Sequence, residues 1–439
     1  MEILPVGGYE EVGRNMTLIK SKDDAVIIDM GIRLDRVMIH EDTDTSKLSK
    51  SDLVGKGIIP DDSKINDKIK AIIVSHGHLD HLGAIAIMAS KYNVPIIAAP
   101  YTMALIKKDL SYRRKKKLKN PLKILEQGKT IQISPNMSIE FVRVAHSIPQ
   151  ASMIVVHTSE GNLVYALDFK FDDSPGIGRK PDYKRLKDIG KEGVKVLIVE
   201  TTRVQNEGRT PSERIAKNLL EDNFLKVDDS KALVVTTFSS HIARINSIVR
   251  LAYVLDRTPV LLGRSMEKYV GIAERLNLID LPSESHIYGN PNSIKKSLKR
   301  IKKEGIEKSL LVVTGHQGEP DALLTRMSKN KVPFQFSKGD QVMFSADVIP
   351  SPINVANRFA LEELLKMKGV RLYKGLHVSG HASREDHRDF IQTIRPENLI
   401  PAHGELSKLS AMADLASEMD YKLGKTVHIV QDGQSIVLK

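Results

Sequence analysis

Apolar residues along this chain come in short, strand-length runs, most of them followed by an amphipathic stretch and separated by Gly, Pro and Asp. That alternation predicts an α/β chain. Strands are expected at Met16–Ser21 and Ala25–Met30, then a polar loop through Asp35–Ser63, then the apolar strand Ala71–Val74. Further strands are expected near Pro95–Ala99, Met137–Val144, Ala151–Thr158 and Asn162–Ala166. From about residue 206 the character changes. Ala232–Thr237, Val260–Leu262 and Leu310–Thr314 each lead at once into a helical run, as successive βα units of a parallel sheet do. No repeat or low-complexity tract interrupts the pattern.

Composition narrows the chemistry available to such a fold. The chain has 439 residues, more than one core usually supports, so two or more compact units are expected. Hydrophobic residues at 41% and charged residues at 27% fit a soluble globular protein, and no apolar run is long enough to cross a bilayer. The start, Met1-Glu2-Ile3-Leu4-Pro5-Val6, has no signal-peptide character, which points to a cytoplasmic location. With no cysteine, thiolate nucleophiles, disulfides and Cys-ligated zinc fingers are excluded, and any metal must be held by His, Asp or Glu. The 66 Lys and Arg exceed the 54 Asp and Glu by 12, a surplus that suits a polyanionic partner. A merely solvated basic surface would look the same until the site residues are considered.

Candidate chemistry concentrates at His76-Gly77-His78-Leu79-Asp80-His81, directly after the Ala71–Val74 strand. Three imidazoles and a carboxylate within six residues have little packing value but form a ligand set suited to zinc. His76 and His78 could serve one ion while Asp80 and His81 serve a second. A helix expected from Leu82 through Lys91 would hold the loop from behind.

This motif resembles the His-x-His-x-Asp-His signature of the metallo-β-lactamase superfamily. The resemblance implies an αββα sandwich with further donors at strand ends: His146 after Phe141–Val144, Asp168 after Val164–Leu167, and His403 in Pro401-Ala402-His403-Gly404-Glu405. Taken singly, each could be a capping Asp or a surface His. Together the resemblance gives one ion to His76, His78, His146 and Asp168, and another to Asp80, His81, His403 and Asp168, with Asp29 bracing the metal loop. Two Zn2+ per chain are expected, with Mn2+ as the alternative.

Over two hundred residues separate Asp168 from His403, so a second domain of mainly parallel sheet must be inserted there. The expected division is 1–205 and 371–439 for the metal domain and 206–370 for the insert. The inserted segment resembles the β-CASP nucleases. Glu200, after Val196–Val199, matches their acidic motif, and His381 in Ser379-Gly380-His381-Ala382 matches their histidine motif. A His at position 403 is what members acting on RNA carry. Within that group the chain resembles the ribonuclease J family of archaeal type over nearly its whole length, through Gly7-Gly8, Glu11–Met16, Thr237–Arg244, Thr314–Pro320 and His377–Ala382. Relatives of the cleavage and polyadenylation type begin with added RNA-binding domains, and Met1 lying directly on the first strands disfavours that subfamily.

The resemblance implies hydrolysis of RNA phosphodiester bonds, with Asp80 taking the water proton and His381, oriented by Glu200, protonating the leaving oxygen. His377, Ser379, Gly380, Ala382 and Ser383 are candidate phosphate contacts at a helix start. Ser383 with Asp386 could equally cap the helix Arg384–Ile394. Ser239-Ser240, Gly263-Arg264-Ser265 and Gly315–Gly318 each follow a strand, and in a parallel sheet such turns share one edge. Ser239, Ser240 and Arg264 are therefore candidate RNA contacts, although tight turns alone would explain them. The basic run Arg113–Lys119 is a solvated helix face or a source of long-range attraction. The expected activity is 5′-to-3′ exonuclease action on single-stranded 5′-monophosphate RNA in decay or processing, with endonuclease action as the alternative. A homodimer and assembly with other RNA-decay factors stay open, and no membrane is expected. A small-molecule metallohydrolase would have no use for Glu200, His381 and the insert. An inert RNA-binding module would not need a full ligand set.

Overall fold

The computed structural model describes residues 1–39, 48–112 and 118–439. The chain divides into two units, Met1–Asp173 with Lys180–Thr210 and Gly380–Lys439, and Ser174–Arg179 with Pro211–Ser379.

The first unit is built on two sheets. One has seven strands in the order Ile436–Val437, Glu2–Gly7, Met16–Ser21, Asp24–Ile28, Ile69–Val74, Ile96–Ala98 and Leu122–Ile124. The other has six, in the order Asn398–Ala402, Val194–Glu200, Gly161–Ala166, Ser152–Thr158, Met137–Arg143 and Thr130–Ser134. Alternation along these strands builds two apolar layers. Ile154, Val156 and Tyr165 join Ile28 and Ile73 in the layer between the sheets, while Met153, Val155 and Val164 join Leu186, Phe390 and Met412 from the helices Tyr183–Glu192, Arg384–Ile394 and Leu406–Ser417. Helix Pro100–Tyr112 packs beside Ile96–Ala98 and Leu122–Ile124.

The inserted unit is one parallel six-stranded sheet: His286–Tyr288, Thr258–Leu262, Ser309–Val313, Leu233–Thr236, Gln341–Phe344 and Arg371–Tyr373. The last strand lies beyond the boundary expected at residue 370, because Val342 and Leu372 pair within this sheet. A buried ion pair holds its strand ends together. Arg244, with no exposed surface, gives two hydrogen bonds to Glu213 at 2.6 and 2.9 Å and others to the carbonyls of Ser345 and Leu376. Burial pushes the Glu213 carboxyl up, but His241 and Arg244 outweigh it and hold it far below the usual glutamate range. Arg244→Ala is expected to cost about 3–5 kcal/mol, since it strands a buried carboxylate. The wild-type contribution is complete above the ordinary glutamate pKa and fades as pH falls below it, so urea midpoints of wild type and variant should converge in acid. A gap that stays constant down to strong acid would reject this assignment.

Two local expectations are corrected. The stretch expected as polar loop contains the short helices Leu34–Ile39 and Lys50–Gly55, the second started by a capping box of Ser49 and Asp52. The helix expected over Leu82–Lys91 starts earlier and is broken into Leu79–Leu82, Ile85–Met88 and Ala89–Lys91. It breaks because carbonyls are claimed from outside: Ile32, Asn15 and Met30 donate backbone N–H groups to Leu79, Asp80 and His81 at 2.8–3.0 Å. The basic positions 113–117 lie outside the described residues.

Candidate metal centre

Strand direction gathers the candidate donors. Asp24–Ile28 runs parallel to Ile69–Val74, and Gly161–Ala166, Val194–Glu200 and Asn398–Ala402 run parallel to one another. Asp29, His76, Asp168, Glu200 and His403 therefore all lie at carboxyl ends of strands. Three of them, Asp29, Asp168 and His403, have φ of 63°, 55° and 54°, a left-handed conformation that non-glycine residues hold only where the surroundings impose it.

Two donor groups form around Asp168. In the first, His76 Nε2, His78 Nδ1, His146 Nε2 and Asp168 Oδ2 are separated by 3.1–3.5 Å along the measured edges. In the second, His81 Nε2 and His403 Nε2 lie 3.3 Å from Asp168 and 3.6 and 3.7 Å from Asp80 Oδ2. Four donors about 2.0–2.1 Å from one ion in a tetrahedron stand about 3.3 Å apart, so both groups have the spacing of a closed zinc site. Asp168 Oδ1 is buried and accepts no hydrogen bond among the described residues. A buried carboxylate oxygen left this way fits a cation as its partner.

The imidazoles are prepared as ligands by what holds their far nitrogens. Ser75 Oγ donates to Asp29 at 2.8 Å and so accepts from His76 Nδ1 at 3.1 Å. His81 Nδ1 donates to Asp29 Oδ2 at 2.7 Å, His146 Nδ1 to the Gly380 carbonyl at 2.7 Å, and His403 Nδ1 to Asn15 Oδ1 at 2.9 Å. Each bond fixes the tautomer that leaves Nε2 facing the donor group. Burial pushes the His78, His146 and His403 imidazoles down, leaving them neutral. The chemistry of the set therefore fits a pair of divalent cations.

Several of these supports carried no sequence signal. Asn15, within Glu11–Met16, is a neutral amide with no motif of its own, yet it is the partner of His403 and, through Nδ2, of the Asp80 carbonyl at 3.1 Å. Gly31 is required because a Cβ there would overlap the Asp80 carbonyl. Both needs arise only in the tertiary fold: at Gly31 from the approach of the Met30–Ile32 backbone to the metal loop, and at Asn15 from the approach of His403 and the Asp80 carbonyl.

His381 and Glu200 are brought together beside Asp168. His381 Nδ1 donates to Glu200 at 2.7 Å, and the other Glu200 oxygen accepts from the Phe169 amide at 3.0 Å. Burial pushes the His381 imidazole down, but Glu200 and Asp168 outweigh it and hold it at about 9. Asp168, Glu200 and His381 also meet the spacing for a third cation, but the short bond between His381 and Glu200 already occupies both facing atoms.

The other candidates divide. Ala382 is fully buried in the apolar layer behind the six-stranded sheet, and the Ser383 hydroxyl is taken up by the capping box with Asp386 and by Thr210 at 2.9 Å, so neither side chain faces outward as a phosphate contact would. Gly380 serves His146, whose ring stands 3.0 Å from where a Cβ would be. His377 and Ser379 lie in the inserted unit with Ser239, Ser240 and Arg264. Ser239 and Ser240 precede the helix Ile242–Val254 and Arg264 opens Arg264–Arg275, at the shared carboxyl edge of parallel strands. Gly315–Gly318 also follows its strand, although the next helix begins only at Leu323. Burial pushes the His377 imidazole down to about 2, so it is neutral.

A two-sheet sandwich with His and Asp donors at strand ends, interrupted by a parallel-sheet unit, defines a metallo-β-lactamase fold carrying a β-CASP insert. Residues 9–201 match the model of the metallo-β-lactamase superfamily, 230–361 the ribonuclease J β-CASP domain, and 367–430 the Zn-dependent metallo-hydrolase RNA specificity domain. Proteins called ribonuclease J from Methanocaldococcus jannaschii and Pyrococcus abyssi are 51% and 50% identical, each over 99% of this chain and over 98% and 97% of their own lengths. One from Synechocystis is 31% identical over the whole chain and 66% of its own length. A crystal structure of a protein of unknown function from Enterococcus faecalis shares the fold, with a TM-score of 0.67, 18% identity, and coverage of 100% of this chain and 99% of that one. The chain belongs to the ribonuclease J family, metal-dependent β-CASP nucleases.

Proposed function

We propose that this protein hydrolyses RNA phosphodiester bonds with two divalent cations, Zn2+ by the donor chemistry or Mn2+, and that it works 5′ to 3′ on single-stranded RNA bearing a 5′ monophosphate. The observation that carries the hydrolytic reading is the pair of donor groups sharing Asp168, with an imidazole held by Glu200 at their side. His76, His78, His146 and Asp168 would hold one cation, and Asp80, His81, His403 and Asp168 the other. Bound there, the cations supply a water of lowered pKa and offset the charge that builds on the phosphoryl oxygens. Asp80, the most exposed donor of the second group, is placed to accept the proton of the attacking water. His381 holds a proton through its bond to Glu200 and gives it to the departing 3′ oxygen. Cations bound at the two donor groups would lower the His381 pKa towards neutrality, where a general acid works best.

The family match and the turns at the carboxyl edge of the inserted sheet support RNA as substrate and a seat for a terminal phosphate. The test uses one RNA labelled at its 5′ end and offered as monophosphate, triphosphate or circle. Immediate release of labelled mononucleotide from the monophosphate form, with the circle intact, is the expected result. Efficient cutting of the circle would establish internal cleavage and reject exclusive end-dependence. Internal cleavage is the second reading, because the donor geometry is indifferent to which phosphodiester is presented.

A further inference from the structure

The helix Pro291–Glu304 of the inserted unit carries a charge pattern that neither the metal centre nor packing uses. Its inner face, Ile294, Ser297, Leu298 and Ile301, is buried, with the three apolar side chains joining the core on one side of the parallel sheet. Its outer face is Lys295, Lys296, Lys299, Arg300, Lys302 and Lys303, all exposed. One carboxylate, Glu304, stands against them, 3.6 Å from Arg300. Six cations less one anion leave five positive charges on 14 residues.

A solvated helix face ordinarily mixes signs, because opposite charges four residues apart support a helix and like charges oppose it. Here Lys295 and Lys299, Lys296 and Arg300, and Lys299 and Lys303 stand at that spacing with like charge, and no carboxylate occupies the first turn. Lys302 and Lys303 in the last turn suit the helix dipole, but the three like-charge pairs repel one another, and a polyanion laid along the face would relieve that repulsion. Each four-residue step advances about 6 Å along the axis, on the scale of successive phosphates in an extended strand. The outer face has no aromatic side chain on which a base could stack, so its chemistry addresses phosphates alone. Lys329 and Lys331 add exposed cations just past the helix Leu323–Ser328, whose Leu323 and Met327 join the same core cluster as Leu298.

We propose that Pro291–Glu304 is a binding surface for the RNA backbone, separate from the metal centre, that holds long substrates through their phosphates without reading sequence. This rests on the ribonuclease reading above.

The test compares wild type with K295Q/K296Q/K299Q/R300Q, in which glutamine keeps the helix propensity and removes the charge. Binding of a long single-stranded RNA and cleavage of an oligonucleotide of a few residues are measured across a KCl series, with thermal melts as a check on folding. The variant should bind long RNA roughly 10–100-fold more weakly at low salt, with a log–log salt slope shallower by about 0.7 for each lost phosphate contact. Its cleavage of the short oligonucleotide should match wild type. Equal affinity and equal slope in the two proteins would overturn the proposal, as would an effect confined to capture of an acidic protein. Failure of wild type to cleave either RNA would instead reject the ribonuclease reading, and the slope comparison would still report on the helix.

Discussion

His76→Ala and Asp168→Ala are each expected to abolish RNA cleavage, by about a thousandfold or more, while the two sheets stay assembled. Each 1.4 kcal/mol of lost transition-state stabilisation is tenfold in rate, and a cation beside the reacting phosphate supplies several. Both side chains are buried and their polar atoms face the donor groups, so neither supports an apolar layer. Asp168 belongs to both groups and its loss should empty both, whereas loss of His76 touches one. Because Asp168 has φ 55°, Asp168→Asn is the better-folded control, since Asn tolerates the left-handed conformation that Ala resists. Asp29→Asn should give a graded result, roughly 10–100-fold weaker metal binding, because Asp29 acts through the groups it holds, His81, Ser75 and the Tyr165 hydroxyl, and is not itself a donor to the cations. Metal content per chain and turnover of labelled RNA decide the matter. Near-normal turnover by either alanine variant in excess metal would mean the cations, or the chemistry, lie elsewhere.

How readable this centre was from sequence depended on whether its parts are contiguous. His76, His78, Asp80 and His81 stand within six residues, and such density of imidazole has one main explanation. His146, Asp168 and His403 are single residues at the ends of strands far apart in the chain, and only the family resemblance linked them. Their convergence depends on which strands lie parallel and adjacent, as Gly161–Ala166, Val194–Glu200 and Asn398–Ala402 do, and pairing partners are not written in local hydrophobic pattern. Asn15, Ser75 and Gly31 were harder still, because a neutral amide, a hydroxyl or a missing side chain acquires its role only from what approaches it. Strand cores such as Met16–Ser21 and Ser152–Thr158 were legible through their apolar runs. Helical periodicity over Leu82–Lys91 does not register that the Leu79 and His81 carbonyls accept from the Ile32 and Met30 amides, the tertiary competition that breaks the helix behind the metal loop.

His381→Ala is expected to slow cleavage by roughly two to four orders of magnitude, the usual range for losing a positioned proton donor, with RNA binding little changed. The reasoning starts from Glu200, whose carboxylate has no exposed surface and sits at the end of an apolar strand, an expensive place for a charge with no function. Burial pushes its carboxyl up, but His381 offsets this and holds it ionised below the usual range. His381 is therefore an imidazolium beside an ionised Glu200: the carboxylate holds its Nδ1 proton, and the Nε2 proton is the one it donates. Glu200→Gln would keep the shape, and the hydrogen bond through its carbonyl oxygen, but remove the charge that retains that proton. Its effect should therefore be smaller at low pH, where His381 is protonated without help, and grow as pH rises. A merely structural pair would instead give a deficit that is flat with pH and matched by lost thermal stability. The discriminating substrate is an RNA whose scissile linkage has a 3′ sulfur in place of oxygen, a leaving group that needs no proton. Both variants should cleave it at nearly the wild-type rate. If His381→Ala stayed equally slow on that substrate, His381 would not be the acid, and a role in holding the RNA or the Asp168 carboxylate would have to replace it.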